Sequence, residues 1–98
     1  MAGRDKRRTA RAEVELVAHL RNSIHPYHPV RVLDLSVTGV RLETWARHAE
    51  GDRALIRLPS LAGIPAEMVW SGDHEYGFRF TAPLHPGVLD MLLARHAG

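Results

Sequence analysis

Every second residue is apolar in short runs from residue 12 onward, and this period of two constrains the fold more than any other feature of the chain. Val14, Leu16, Ala18 and Leu20 alternate with Glu13, Glu15 and His19; Val40 and Leu42 with Arg41 and Glu43; Ala54, Ile56 and Leu58 with Arg53 and Arg57. Successive side chains of a strand face opposite sides, so such runs make half-buried strands and not amphipathic helices. The spacing predicts six strands, at 14–20, 30–35, 40–43, 54–58, 64–70 and 76–80. In the fifth, Ile64, Ala66, Met68 and Trp70 are expected to share one face. In the sixth, Tyr76, Phe78 and Phe80 are expected to close the core. Residues 22–29 have no period and carry Pro26 and Pro29, which suits a connection that cannot donate ladder hydrogen bonds. Turn chemistry occupies 34–39, 50–52, 59–63 and 71–73. After Pro86 and Gly87 the period lengthens toward 3.6 across 88–93, and Arg95 and His96 suit the C-terminus of a short helix. Strands with no helices between them favour a mainly all-β domain, a six-stranded antiparallel barrel with a short C-terminal helix.

A chain of 98 residues fits one such domain, and 45% apolar with 24% charged residues is ordinary globular usage. Cysteine is absent, which excludes disulfide scaffolds, cysteine nucleophiles and thiolate zinc sites together. Glu13, Glu15 and His19 break the apolar run behind the basic start, so an export signal is not expected. No stretch approaches the roughly 20 apolar residues of a membrane span, and a soluble, cytoplasmic protein is expected. The net charge of +2 is unevenly placed. Residues 1–11 hold Arg4, Lys6, Arg7, Arg8 and Arg11 against Asp5 alone and carry +4, which leaves −2 on the rest. The chain therefore divides into a flexible basic arm, 1–11, and a single domain, 12–98.

Two local patterns can carry chemistry. Arg7-Arg8-Thr9-Ala10-Arg11 sets two guanidinium forks four residues apart, and Asp34-Leu35-Ser36-Val37-Thr38-Gly39 forms an Asp-x-Ser-x-x-Gly turn between strands. Guanidinium groups bind phosphate oxygens in pairs and match the O6 and N7 acceptors of guanine. A carboxylate accepts from the opposite guanine edge, a small hydroxyl reaches a phosphate or a base, and Gly39 allows positive φ and close backbone approach. A ligand holding both phosphate and guanine uses all of these groups. Taken singly, the arm is an ordinary solvated terminus, and Asp34 and Ser36 are ordinary turn residues. Trp70 reads as core or rim packing and not as a base-stacking platform; Trp45, after the third strand, suits either. His25 and His28 are the nearest pair among seven histidines, but no third ligand is placed with them, so no metal site is expected. No serine, histidine and acid grouping has the setting of a nucleophile, so no catalytic residue is expected and the chain is read as a non-enzyme.

An Arg-x-x-x-Arg arm followed about two dozen residues later by Asp-x-Ser-x-x-Gly resembles the PilZ domain family, bacterial receptors for the second messenger cyclic di-GMP. The likeness runs from about Lys6 to Phe80 and takes in Gly51-Asp52, Val69-Trp70 and Gly77-Phe78-Arg79-Phe80. It implies a PilZ-type barrel whose ligand lies outside the barrel under the N-terminal arm. It implies phosphate and guanine contacts from Arg7 and Arg11 with Arg8 beside them, contacts from Asp34 and Ser36, and a backbone role for Gly39. A basic residue at Lys6 resembles the family's selector for a stacked pair of ligands over a single one. No bound cofactor is implied beyond cyclic di-GMP itself. The expected function is a receptor that orders its arm over the ligand and signals to a separate protein partner, as monomer or homodimer, with no specific nucleic acid. A PilZ-fold interaction adaptor that binds no nucleotide is the alternative. Nonspecific nucleic-acid binding through the arm is disfavoured by the acidic remainder of the chain.

Overall fold

The computed structural model describes residues 12–96, with side chains placed from Val14 onward. Its strands are β1 (Ala12–Arg21), β2 (His28–Leu35), β3 (Gly39–Glu43), β4 (Arg53–Arg57), β5 (Gly63–Ser71) and β6 (Glu75–Phe80), followed by helix α1 (Pro86–His96). They close into one antiparallel barrel in the order β1-β2-β3-β6-β5-β4. The ring shuts where His19–Arg21 of β1 pair with Arg57–Leu55 of β4, a ladder of three residue pairs. The mainly β barrel with a C-terminal helix is the expected architecture.

The alternating apolar residues fill the barrel. Ala18, Leu20, Val32, Leu35, Val40, Leu42 and Ile56 have no exposed surface, and Tyr76, Phe78 and Phe80 point inward from β6. Each buried Leu, Ile, Val or Phe contributes about 1.5–3 kcal/mol of transfer free energy, so this set is the main source of stability. α1 packs on the barrel, with Leu92 buried and Val88, Leu89, Met91 and Leu93 packed against the core. The helix starts at Pro86, two residues before the expected start. Proline suits the first helical position because it lacks an N–H that would find no partner there. His85 caps it, its Nδ1 accepting from the Gly87 N–H at 2.9 Å.

The ladders carry three register irregularities, one between β1 and β2 ahead of Leu16 and two more that change which way side chains point. The pairs Val32↔Leu42 and Asp34↔Arg41 leave Leu33 as an extra residue in β2. Met68↔Phe78 and Trp70↔Gly77 likewise leave Val69 extra in β5. An inserted residue shifts the period of two by one step. Leu35 therefore enters the core and Asp34 stays on the outer wall. For the same reason Trp70 leaves the face of Ala66 and Met68 and lies outside at 40% exposure, which corrects the expectation that all four residues share a face.

His48 packs its ring edge-on against Tyr76 at 5.1 Å and Phe78 at 5.4 Å. Its Nε2 is buried without a hydrogen bond among the described residues, and Nδ1 lies 3.3 Å from Asn22 Nδ2. Burial lowers its pKa below the ordinary 6.5; Asp52 opposes the shift, and His28 and His25 add to it. The unfolded chain therefore takes up a proton at His48 at a higher pH than the folded one. Stability is full above about pH 6.5 and declines as pH falls toward the lower folded value. Urea midpoints measured at about pH 7 and about pH 5 should show this decline, and a smaller one in His48→Gln.

Candidate functional site

The strongest grouping of polar side chains lies on the outer wall where β2, β3, β6 and β5 adjoin. Asp34, Arg41, Gly77 and Trp70 are successive cross-strand partners, so the register alone sets them in one row around the barrel. Arg41 is its hub. Its Nε donates to Asp34 Oδ2 at 2.6 Å and its Nη1 to Glu75 Oε1 at 2.8 Å. The hydrogen bond to Asp34 is the largest influence on this guanidinium and raises its pKa; burial opposes it and Glu75 reinforces it. The Asp34 side chain keeps only 10% exposure. Arg41 thus holds the orientation of a largely buried carboxylate.

Gly77 leaves room for Trp70: a Cβ there would fall on the indole ring itself. The indole covers the β6 backbone beside Arg41 and offers the row a half-exposed aromatic surface. Neither Arg41 nor Trp70 was singled out from sequence as a site residue. Arg41 looked like any outward residue of a strand, and the shift that turns Trp70 outward needs the Val69 bulge.

The turn next to the row is built by Ser36. Its hydroxyl accepts from the backbone N–H of Thr38 at 3.3 Å and of Gly39 at 3.2 Å, and the Ser36 N–H donates to the Gly39 carbonyl at 2.9 Å. Ser36 has no exposed surface, so its hydroxyl meets a ligand only by exchanging these bonds. The turn is further tied to the wall by Phe80 N–H to Thr38 O and Leu84 N–H to Val37 O, both 2.8 Å. Gly39 does not use positive φ; among the described glycines only Gly51 does. Its need is space, because a Cβ at Gly39 would strike the Phe78 carbonyl oxygen.

Asp34, Ser36 and Gly39 are thus brought together. Lys6, Arg7, Arg8 and Arg11 lie outside the described residues, but the point where they join the barrel does not. Ala12 pairs with Leu35 and Glu13 with Asp34, so the chain ahead of Ala12 is attached directly beside the Asp-x-Ser-x-x-Gly turn.

Other sequence candidates fall elsewhere. Trp45 is 82% exposed and lies against His74, with ring centroids 4.1 Å apart. His25 and His28 meet edge to face at 5.8 Å. Among the described residues no three histidine or acid side chains gather as a metal site, and no helix is long and apolar enough to cross a membrane. Compared with known proteins, the chain matches the PilZ domain family over residues 5–95. No curated protein matches it.

Proposed function

The chain belongs to the PilZ domain family, and from that membership we propose that it is a cytoplasmic receptor for cyclic di-GMP that signals to a separate protein. PilZ domains are binding and adaptor domains rather than enzymes. The observation that supports the reading most is the pairing of Ala12 and Glu13 with Leu35 and Asp34, which roots the arginine arm beside the acceptor turn. Arg7 and Arg11, with Arg8, supply paired donors to phosphate and to the guanine O6 and N7 edge. Asp34, oriented by Arg41, accepts from the other guanine edge. Ser36 and Gly39 hold the turn, and the Trp70 surface gives a purine ring a partner for stacking. The arm orders as these contacts form and makes, with the ligand, a new surface for the partner.

Calorimetric titration with cyclic di-GMP tests this. Saturable binding is expected, with discrimination against cyclic di-AMP at constant salt, because adenine lacks the edges that arginine and carboxylate read. A ligand ratio of two would agree with the basic residue at Lys6, and a ratio of one would remove that role. No binding would leave a PilZ-fold adaptor indifferent to nucleotide. Equal binding of both dinucleotides with steep salt dependence would instead indicate general polyanion attraction.

A further inference from the structure

Beyond the register row next to the nucleotide row, Gly39-Arg79-Glu67-Arg53, the wall carries a hollow where the end of β1 and the loop after it meet β4 and the start of β5. It has a volume of about 520 Å³, within the range of small binding pockets, and is lined by Arg21, Ile24, Arg53, Leu55, Pro65 and Thr81 among others. A smaller hollow of about 210 Å³ continues it past Arg53 and Thr81 to Glu67 and Arg79.

The charge here is one-sided. Arg21 and Arg53 in the lining of the larger hollow stand exposed, as does Arg57 outside it, and none forms an ion pair with a carboxylate among the described residues. Arg57 lies over the Tyr27 ring at 4.1 Å and Arg21 at 5.5 Å, so one aromatic ring steadies two guanidinium groups side by side. Among the described residues the single carboxylate lining either hollow is Glu67, and Arg79 lies 3.9 Å from it. Apolar surface accompanies the charge: Ile24 is 77% exposed, and Leu55 and Pro65 form part of the floor. Guanidinium groups without a carboxylate partner, set around an aliphatic hollow, match a segment with carboxylates on either side of an apolar side chain. A single-stranded nucleic acid fits less well, since it gains affinity by stacking bases on aromatic faces and the Tyr27 ring is occupied by arginine.

We infer that the Arg21–Arg53 hollow docks an acidic peptide segment of a partner protein, with an apolar side chain of that segment seated against Leu55 and Pro65. It shares no residue with the row of Asp34, Arg41, Gly77 and Trp70, although its extension reaches Arg79, the cross-strand partner of Gly39. The inference names the kind of partner that the receptor reading leaves open, and it rests on that reading only for its place in signalling.

Fluorescence anisotropy with a short labelled peptide of alternating glutamate and leucine, at near-physiological salt, tests it. Saturable binding is expected, falling at least about tenfold in the double variant Arg21→Glu, Arg53→Glu. The lysine and leucine counterpart should not bind, and polyglutamate should bind more weakly because it leaves the apolar floor uncovered. A variant with unaltered thermal melting that still holds the glutamate and leucine peptide would overturn the proposal, as would no binding to the parent chain. Tighter, arginine-dependent binding of an oligothymidylate would replace it with a nucleic-acid surface. Cyclic di-GMP titrations of parent and variant run alongside should be identical. If nucleotide binding fails in both while the peptide still binds, the receptor reading is lost and the docking surface stands.

Discussion

Replacing Arg7 and Arg11 together by alanine should abolish detectable cyclic di-GMP binding and leave the barrel folded. On the receptor reading, ordering about five residues of the arm costs roughly 1–2 kcal/mol each. That cost is met by charge-assisted hydrogen bonds, which contribute about 1.5–3 kcal/mol apiece. Removing two arginines takes away several such bonds while the cost of holding the rest of the arm is unchanged. Affinity should drop at least about a hundredfold, to the edge of calorimetric detection. No residue of the core is touched, so circular dichroism and the melting temperature should match the parent protein. Unchanged affinity would remove the arm from the mechanism.

The second large effect is on folding. Gly39→Ala should destabilise the barrel by about 2–3 kcal/mol, at the upper end of overpacking costs. The added methyl would meet the Phe78 carbonyl oxygen, with Arg79 Cα and Phe78 C both at 3.4 Å. These are backbone atoms of β6, and they yield only if β3 and β6 part at Gly39↔Arg79 and Val40↔Phe78. For a domain of this size that loss corresponds to a fall of about 10–20 °C in melting temperature. Gly51→Ala is the instructive contrast. A Cβ there meets nothing within 4 Å, and the only penalty is its φ of 88°, about 1 kcal/mol. Equal melting temperatures for the two variants would show that the close approach at Gly39 has no energetic weight.

The strands and the identity of the core could be read from the sequence because alternation is a local signal that one residue in two repeats. The direction of particular side chains could not. Continuing the phase of Val30 and Val32 would send Asp34 inward, and continuing that of Ala66 and Met68 would send Trp70 inward. A bulge is settled by pairing with a neighbouring strand, and nothing local marks Leu33 or Val69 as the extra residue. The site divides in the same way. Asp34, Ser36 and Gly39 form one contiguous motif and were legible together. Arg41 gains its meaning only from Asp34 and Glu75, seven and 34 residues away along the chain. The role of Gly39 was less legible: its close approach is to the β6 backbone at Phe78, a strand neighbour the motif does not name, and it uses no positive φ.

Closing the sheet on itself gives every strand a neighbour on both sides, so the intact ring has no wholly unpaired edge strand for another chain to extend. That protection is weakest at the three-pair ladder between β1 and β4. If those pairs part, two edges appear together, each backed by a stripe of core residues: Ala18 and Leu20 on one side, Ala54 and Ile56 on the other. Self-association at high concentration would start from that opening, through exchange of β1 between copies, and shielding the seam is the direct way to suppress it.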